Sequence, residues 1–273
     1  VNTNSQAVLA LQSLGKTDRE LSAVQKRVST GFRVADAKDD GGAFAAALAV
    51  RSDTAGLQAV NEQLGGIKGI VETTFASLGK VSDTMKELRQ VVTRLADGST
   101  NTEQRTQYNA QFTALTTQIG TFLDDAKYNG RSLLSTDTAA GGGNIDVLRN
   151  EDAQTFVLTA TDGAAVKTAL TVSGGFATAA AAAAFLTTTF NTQEGAVATA
   201  LNRYGTDLKY VENQITFNAD KIDSLNNGLG ALVDADLAKE SAKLQALQVR
   251  QQLGIQTLGL ANQGPQVLLS LFR

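Results

Sequence analysis

From Leu57 to Leu95 an apolar residue recurs at alternating intervals of three and four. The series runs Leu57, Val60, Leu64, Ile67, Val71, Leu78, Val81, Met85, Leu88, Val92, Leu95, broken at Thr74 with Phe75 beside the gap. The alternation returns as Val197, Leu201, Tyr204, Leu208, Val211, Ile215, Ile222, Leu225, Leu229, Leu232, broken at Asn218 with Phe217 beside it. A 3–4 spacing held over so many turns predicts long helices, each burying a narrow seam against other helices. At 1.5 Å per residue each run makes a rod of roughly 55–60 Å. Long rods toward both ends, with a different texture between them, point to an architectural protein.

Composition narrows the alternatives. The 273 residues are enough for one or two domains with a real core. Aromatics make up only 5% and Trp is absent, so that core rests on Leu, Val, Ile and Ala, as helix seams do. With no Cys and no His, the chain has no disulfide, no thiol nucleophile, no Cys/His zinc site and no triad built on a His base. A net charge of −3 with scattered Lys and Arg leaves no basic stripe, so no nucleic acid is expected as a partner. No apolar run is long enough to span a bilayer, so no membrane is expected either. The opening Asn2, Thr3, Asn4, Ser5, Gln6 is unlike a cleavable signal peptide. Because the chain begins at Val1, an initiator Met and a few further residues are expected before it.

Five stretches follow one another. Val8 to about Phe32 repeats at seven through Leu14, Leu21 and Val28, with Val24 complementary. A charged, glycine-containing loop covers 35–42, and the first seam helix then runs to about Ala96, where Asp97 and Gly98 stop it. Ser99 to Thr102 turn the chain into a third helix with the face Tyr108, Phe112, Leu115, Ile119 and Phe122, which predicts an antiparallel hairpin closing at Asn129 and Gly130. From about Ser135 to Phe190, β-leaning stretches are expected at 145–148, 156–159 and 170–172, with turn chemistry at 150–152 and 162–163 and a short alanine helix at 177–185. This middle has too little apolar material for a core of its own and is expected to lie on the rods. The second seam helix then runs from about Thr192 to Leu229, where Gly228 and Gly230 relax it. A terminal helix covers 235–260 with Leu237, Leu244, Leu247 and Leu258, followed by Val267, Leu268, Leu269, Leu271 and Phe272.

Several clusters invite a catalytic reading. Asp39 with Asp40, Asp124 with Asp125, and Asp234, Asp236 and Glu240 could in principle do acid–base or metal work. Adjacent helix residues diverge by about 100°, however, and helix-start charge or a solvated face accounts for them. Gly65, Gly66 and Gly69 resemble a phosphate loop in composition but lie within the seam with no strand before them, which fits close helix approach or local flexibility. Tyr108, Phe112 and Phe122 read as core. No catalytic, cofactor-binding or metal-binding residue is assigned. The seam of Leu14, Leu21, Val24 and Val28 cannot be satisfied by an isolated helix in water, nor can the C-terminal leucines. The two ends therefore pair, and their remaining apolar flank is expected to meet neighbouring subunits.

At this point the residues resemble a family. Asn2, Thr3 and Asn4, the run from Ser29 through Gly31, Arg33 and Asp36 to Asp39 and Asp40, and the stretch Lys127, Tyr128, Asn129, Gly130, Arg131 look like the amino-terminal half of a bacterial flagellin. Asp234 to Ser241, Gln251 to Gly254, and Ala261, Asn262, Gln263, Gly264, Pro265, Gln266 ahead of the leucine-rich tail resemble its carboxyl-terminal half. Two ordered blocks at opposite ends, covering nearly all of 1–135 and 190–273, form a specific signal. The ending Leu271, Phe272, Arg273 and the short middle resemble flagellins of the alphaproteobacterial type.

The resemblance implies a mainly α, long-helix coiled-coil rod with a small β-hairpin elaboration. It divides the chain into an inner-tube helix at 1–40, outer-rod helices at 41–134, a solvent-facing elaboration at 135–190, an outer-rod helix at 191–232, and an inner-tube helix at 233–273. It implies a secreted structural subunit that crosses the flagellar type III export apparatus unfolded, without a cleaved signal peptide, and polymerises under a cap into a helical homopolymer that drives swimming. The terminal helices would be disordered in the monomer. The implied partners are other flagellin subunits, an export chaperone, the filament cap and junction proteins, and glycans on the surface of the middle; no cofactor is implied. Inner-tube assembly would fall to Leu14, Leu21, Val24, Val28, Leu237, Leu244, Leu247, Leu258, Leu268, Leu269, Leu271 and Phe272. Many flagellins are read by an innate immune receptor through an arginine-bearing outer-rod face. This chain keeps Arg89 but carries Glu87 and Gln111 where recognised flagellins place arginine and glutamate, so that face is altered. A hook–filament junction protein shares the terminal pattern and would stay short. A cytoplasmic four-helix signalling coiled coil would have stable termini and form no polymer.

Overall fold

The computed structural model describes residues 4–271, with the backbone alone for 264–271. Among the described residues there are seven α-helices: α1 (Ser5–Thr30), α2 (Gly41–Leu95), α3 (Thr102–Asp124), α4 (Gly163–Leu170), α5 (Ala179–Phe185), α6 (Asn191–Val233) and α7 (Leu237–Leu271). A two-stranded antiparallel sheet, β1 (Ile145–Leu148) and β2 (Thr155–Leu158), pairs Ile145 with Leu158 and Leu148 with Thr155. One turn of π-helix, Leu186–Phe190, joins α5 to α6. The chain divides into two compact units, Val1–Thr54 with Asp223–Arg273, and Ala55–Ile222, so both divisions fall inside long helices.

In the unit Ala55–Ile222, α2 runs antiparallel to both α3 and α6. Ser77 donates to the carbonyl of Phe122, and Arg105 Nη1 lies 2.8 Å from the Leu95 carbonyl. On the α6 side Lys68 pairs with Glu212 at 2.9 Å and Asn61 Nδ2 reaches the Ile215 carbonyl at 3.3 Å. The expected seam forms the core: Leu64, Val71, Val81, Met85, Leu88, Val92 and Leu95 of α2 meet Phe112 and Ile119 of α3 and Val197, Tyr204 and Val211 of α6.

The two breaks in the seam differ physically. Thr74 is fully buried and hands its hydroxyl to its own helix at the Ile70 carbonyl, 2.8 Å away. Asn218, also fully buried, donates to Asn61 Oδ1 at 3.0 Å and to the Arg149 carbonyl at 3.2 Å, while Gln214 donates to it at 2.9 Å. Phe75 and Phe217 beside the breaks are exposed.

The middle packs on these helices as expected and adds Val147, Leu158, Phe176 and Phe185 to the same core, beside Leu133 and Leu134 just ahead of it. Tyr204 anchors it: its hydroxyl lies 2.9 Å from the Leu133 carbonyl and 3.1 Å from that of Thr159. The strands at 145–148 and near 156–159 form, but the third β-leaning stretch does not. Leu170 ends α4, and Val172 follows it as a partly buried residue outside any strand. Asp162 is a helix cap rather than a turn residue, because its side chain accepts from the amide of Ala165 at 2.9 Å. Val166 and Leu170, four apart, then share the buried face. α6 continues through Gly228 and Gly230 to Val233, and α3 ends at Asp124, short of Asn129.

Candidate assembly surfaces

In the unit formed by the two ends, α1 and α7 pair antiparallel. Asn4 Nδ2 donates to the Ala261 carbonyl at 2.8 Å, Gln251 Nε2 to Asp18 at 2.8 Å, and the Ala235 amide to the Gly31 carbonyl at 2.9 Å. Leu21, Val24 and Leu247 are buried between them, with Val28 and Leu244 partly covered. Leu14 and Leu258 are half-buried and Leu237 is exposed. The structure thus brings Leu21, Val24, Val28, Leu244 and Leu247 into one intramolecular core and leaves Leu237 outside it. Leu268, Leu269 and Leu271 lie where side chains are not described, and Phe272 lies outside the described residues.

The signature residues near the start build the turn that follows α1. Gly31 caps the helix at φ 76°, a left-handed conformation that costs glycine little. The Arg33 amide donates to the Val233 carbonyl at 2.7 Å and its guanidinium donates to that of Leu232. Lys26 pairs with Asp36 and Asp39, each at 2.8 Å, and this ammonium holds both carboxyls below the usual range while they raise the lysine in turn. Asp40 accepts from the amides of Gly42 and Ala43 at 3.0 Å, so it caps the start of α2. Val34, Ala47 and Val233 close a small core beneath.

The other acidic clusters are also structural. Asp124 pairs with Lys167, Asp125 caps α3, and Asp236 accepts from the Lys239 amide at 3.0 Å at the start of α7. Glu240 is buried and faces Arg27 at 3.6 Å and Lys243 at 3.4 Å. Asn129 and Gly130, with φ of 49° and 76°, form a two-residue turn bracketed by reciprocal bonds between Tyr128 and Arg131. Asn262 and Gln263 are exposed. Among the described residues no group of three or more acidic side chains is placed to hold a metal ion, and no helix is long and apolar enough to cross a membrane.

Of Glu87, Arg89 and Gln111, the first and last are exposed. Arg89 is held within the chain: it pairs with Glu194, donates to Asn191 at 3.0 Å, and lies 4.9 Å from the centre of the Phe190 ring.

Sequence reasoning expected an apolar flank on the paired ends but did not name its residues. Val8, Leu9 and Leu11 of α1, and Val249, Leu253, Ile255 and Leu260 of α7, are each more than half exposed, Leu260 by 73%. They stand outside the intramolecular seam. The sign available in the sequence was that α7 spreads leucine, isoleucine and valine around its circumference instead of along one face.

Residues 1–139 match the model of the bacterial flagellin N-terminal helical region, and residues 191–272 that of the bacterial flagellin C-terminal helical region. The chain is 37% identical over 276 residues to flagellin FljM of Caulobacter vibrioides, covering 100% of this chain and 98% of the relative. It is 34% identical to the flagellin of Brucella melitensis over 283 residues, covering 99% and 98% of the two chains. The crystal structure of Bacillus cereus flagellin matches at 17% identity with a TM-score of 0.36, covering 67% of this chain and 94% of that one. The chain belongs to the bacterial flagellins: it is a structural subunit of the extracellular flagellar filament, self-assembling with other flagellin subunits, and not an enzyme.

Proposed function

We propose that α1 and α7 divide their apolar residues between two tasks. Leu14, Leu21, Val24, Val28, Leu244, Leu247 and Leu258 hold the pair together as the inner-tube element. The outward side chains of Leu237, Val8, Leu9, Leu11, Val249, Leu253, Ile255 and Leu260, with the tail leucines and Phe272, meet neighbouring subunits. The observation that carries this is the exposure of so many large apolar side chains on two helices whose shared core is small. In this reading 1–40 and 233–273 form the inner layer, 41–134 and 191–232 the outer layer, and 135–190 faces solvent and receives any glycans. The chain reaches the filament tip unfolded through the type III route without signal cleavage, handed on by a chaperone and assembled beyond junction proteins under a cap. A chain without Cys and with a single Pro suits that route, since neither disulfide exchange nor slow proline isomerisation delays refolding.

The test compares Leu9→Glu with Leu253→Glu, outward, against Leu21→Glu, inward. The outward variants should keep wild-type helix content by circular dichroism yet fail to elongate seeds. Leu21→Glu should lose helix content. Outward variants that elongate like the wild type would refute the division of labour.

A further inference from the structure

An open groove of about 300 Å³ lies in the unit Ala55–Ile222, lined by Gly66, Ile67 and Ile70 of α2, Val147 of β1, and Tyr128. Arg131 and Asp146 contribute to its lining and are exposed, which gives it an apolar base with a charged rim. The glycines of α2 show how the recess is kept. Glycine inside a helix lowers helix stability, so each one calls for a reason. A Cβ on Gly69 would come within 2.7 Å of the Tyr128 ring, so this glycine lets the ring lie on the helix. A Cβ on Gly66 would meet nothing within 4 Å. The space a side chain would take at Gly66 is open, and it belongs to the groove.

The same unit carries a projecting counterpart. Phe217 is 60% exposed, more than Phe75, Tyr128, Val157 or Tyr210. It stands beside buried Asn218 on α6, with no residue in common with the groove. A knob and a recess on separate patches of one chain make a heterologous contact, and such a contact, repeated without closing, builds a helical polymer. We propose that Phe217 of one subunit seats in the Gly66 groove of a neighbouring copy of this chain. The proposal rests on membership of a self-assembling filament and adds a contact made outside the terminal helices.

The experiment measures the critical concentration for elongating seeds with the full chain and its variants. Wild-type elongation tests the filament reading itself; the variants test the contact. Gly66→Leu fills the groove, and Gly66→Ala is a second variant that strengthens α2 while adding one methyl. Gly65→Leu is the control, since a Cβ there also meets nothing within 4 Å and Gly65 does not line the groove. Gly66→Leu and Phe217→Ser should each raise the critical concentration about tenfold or more, and the double variant should be no worse than either single one. Gly66→Ala should raise the monomer's melting temperature and the critical concentration together. The proposal is overturned if Gly66→Leu elongates at the wild-type concentration, if Gly65→Leu is impaired as much, if Phe217→Ser is unimpaired, or if the two single effects multiply.

Discussion

At the scale of single residues, the two breaks in the helix seams give opposite expectations. Thr74 bonds only to its own helix backbone, a bond that contributes little, so Thr74→Val should be neutral or slightly stabilising. Asn218 joins α2, α6 and the backbone at Arg149, so Asn218→Leu leaves Asn61 Oδ1 without its donor, while Gln214 and the Arg149 carbonyl each lose one bond and keep the 3.0 Å bond between them. That substitution should cost about 1–3 kcal/mol, from the acceptor left unpaired and the bonds lost in the network. Denaturant melts of the two variants decide it, and equal effects would contradict the structural distinction. The outer-rod face gives a second residue-scale expectation. If the receptor-reading face implied by the resemblance falls at Glu87, Arg89 and Gln111, then with Arg89 held by Glu194 and Phe190 the chain should be a poor agonist of the flagellin receptor. Glu87→Arg with Gln111→Glu should recover part of the response in a reporter assay on monomer, because an anion in a cation's place adds a penalty of about 2–5 kcal/mol. Strong signalling by the unmodified chain would sink this expectation.

At the scale of elements, the long helices were legible because a narrow seam repeated over many turns leaves no other period to fit. The strands at 145–148 and 155–158 were legible from β-branched residues bounded by turn residues. α4 was not, since its eight residues make little more than two turns and carry a single buried apolar pair four apart, and the Leu170, Thr171, Val172 run reads locally as strand. What decides it is Asp162 capping the helix and Leu170 reaching the shared core, and only the fold brings these together. The outward residues of α7 were hidden for a related reason: apolar residues spread round a helix show a composition but no phase. α1 and α7, of 26 and 35 residues, share a small apolar core in which Leu21, Val24 and Leu247 are the buried apolar side chains among the described residues. Their amides in the monomer should therefore exchange hydrogen at least about 100-fold faster than those of α2 and α3, and become protected on polymerisation. Equal protection in the monomer would show that so small a core holds the terminal pair as firmly as the long seam holds α2 and α3.

At the scale of the whole molecule, the charge inventory fixes the response to pH. With no His, no side chain at its ordinary value titrates between about pH 6 and 8. Asp36 and Asp39 are held below 3.8 by Lys26, so their contribution is complete above that value and disappears as pH falls through the folded-state values. Lys26 is raised above 10.5, so its contribution is complete below that value and disappears as pH rises through its folded-state value. Asp207 is raised by burial and works the other way in acid, where protonation relieves a desolvated charge. Thermal melts should be flat from pH 6 to 8 and fall below about pH 4; a steep loss near neutrality would contradict this. The central claim is that this chain builds a long filament through apolar surfaces left open when its own ends have paired. Electron microscopy of purified wild-type chain after seeding, beside the chain carrying Leu253→Glu, tests it most directly. The wild-type chain should give long, regular helical filaments, and the variant unpolymerised, still helical subunits. Short or absent polymer from the wild type, or equal filaments from both, would contradict it.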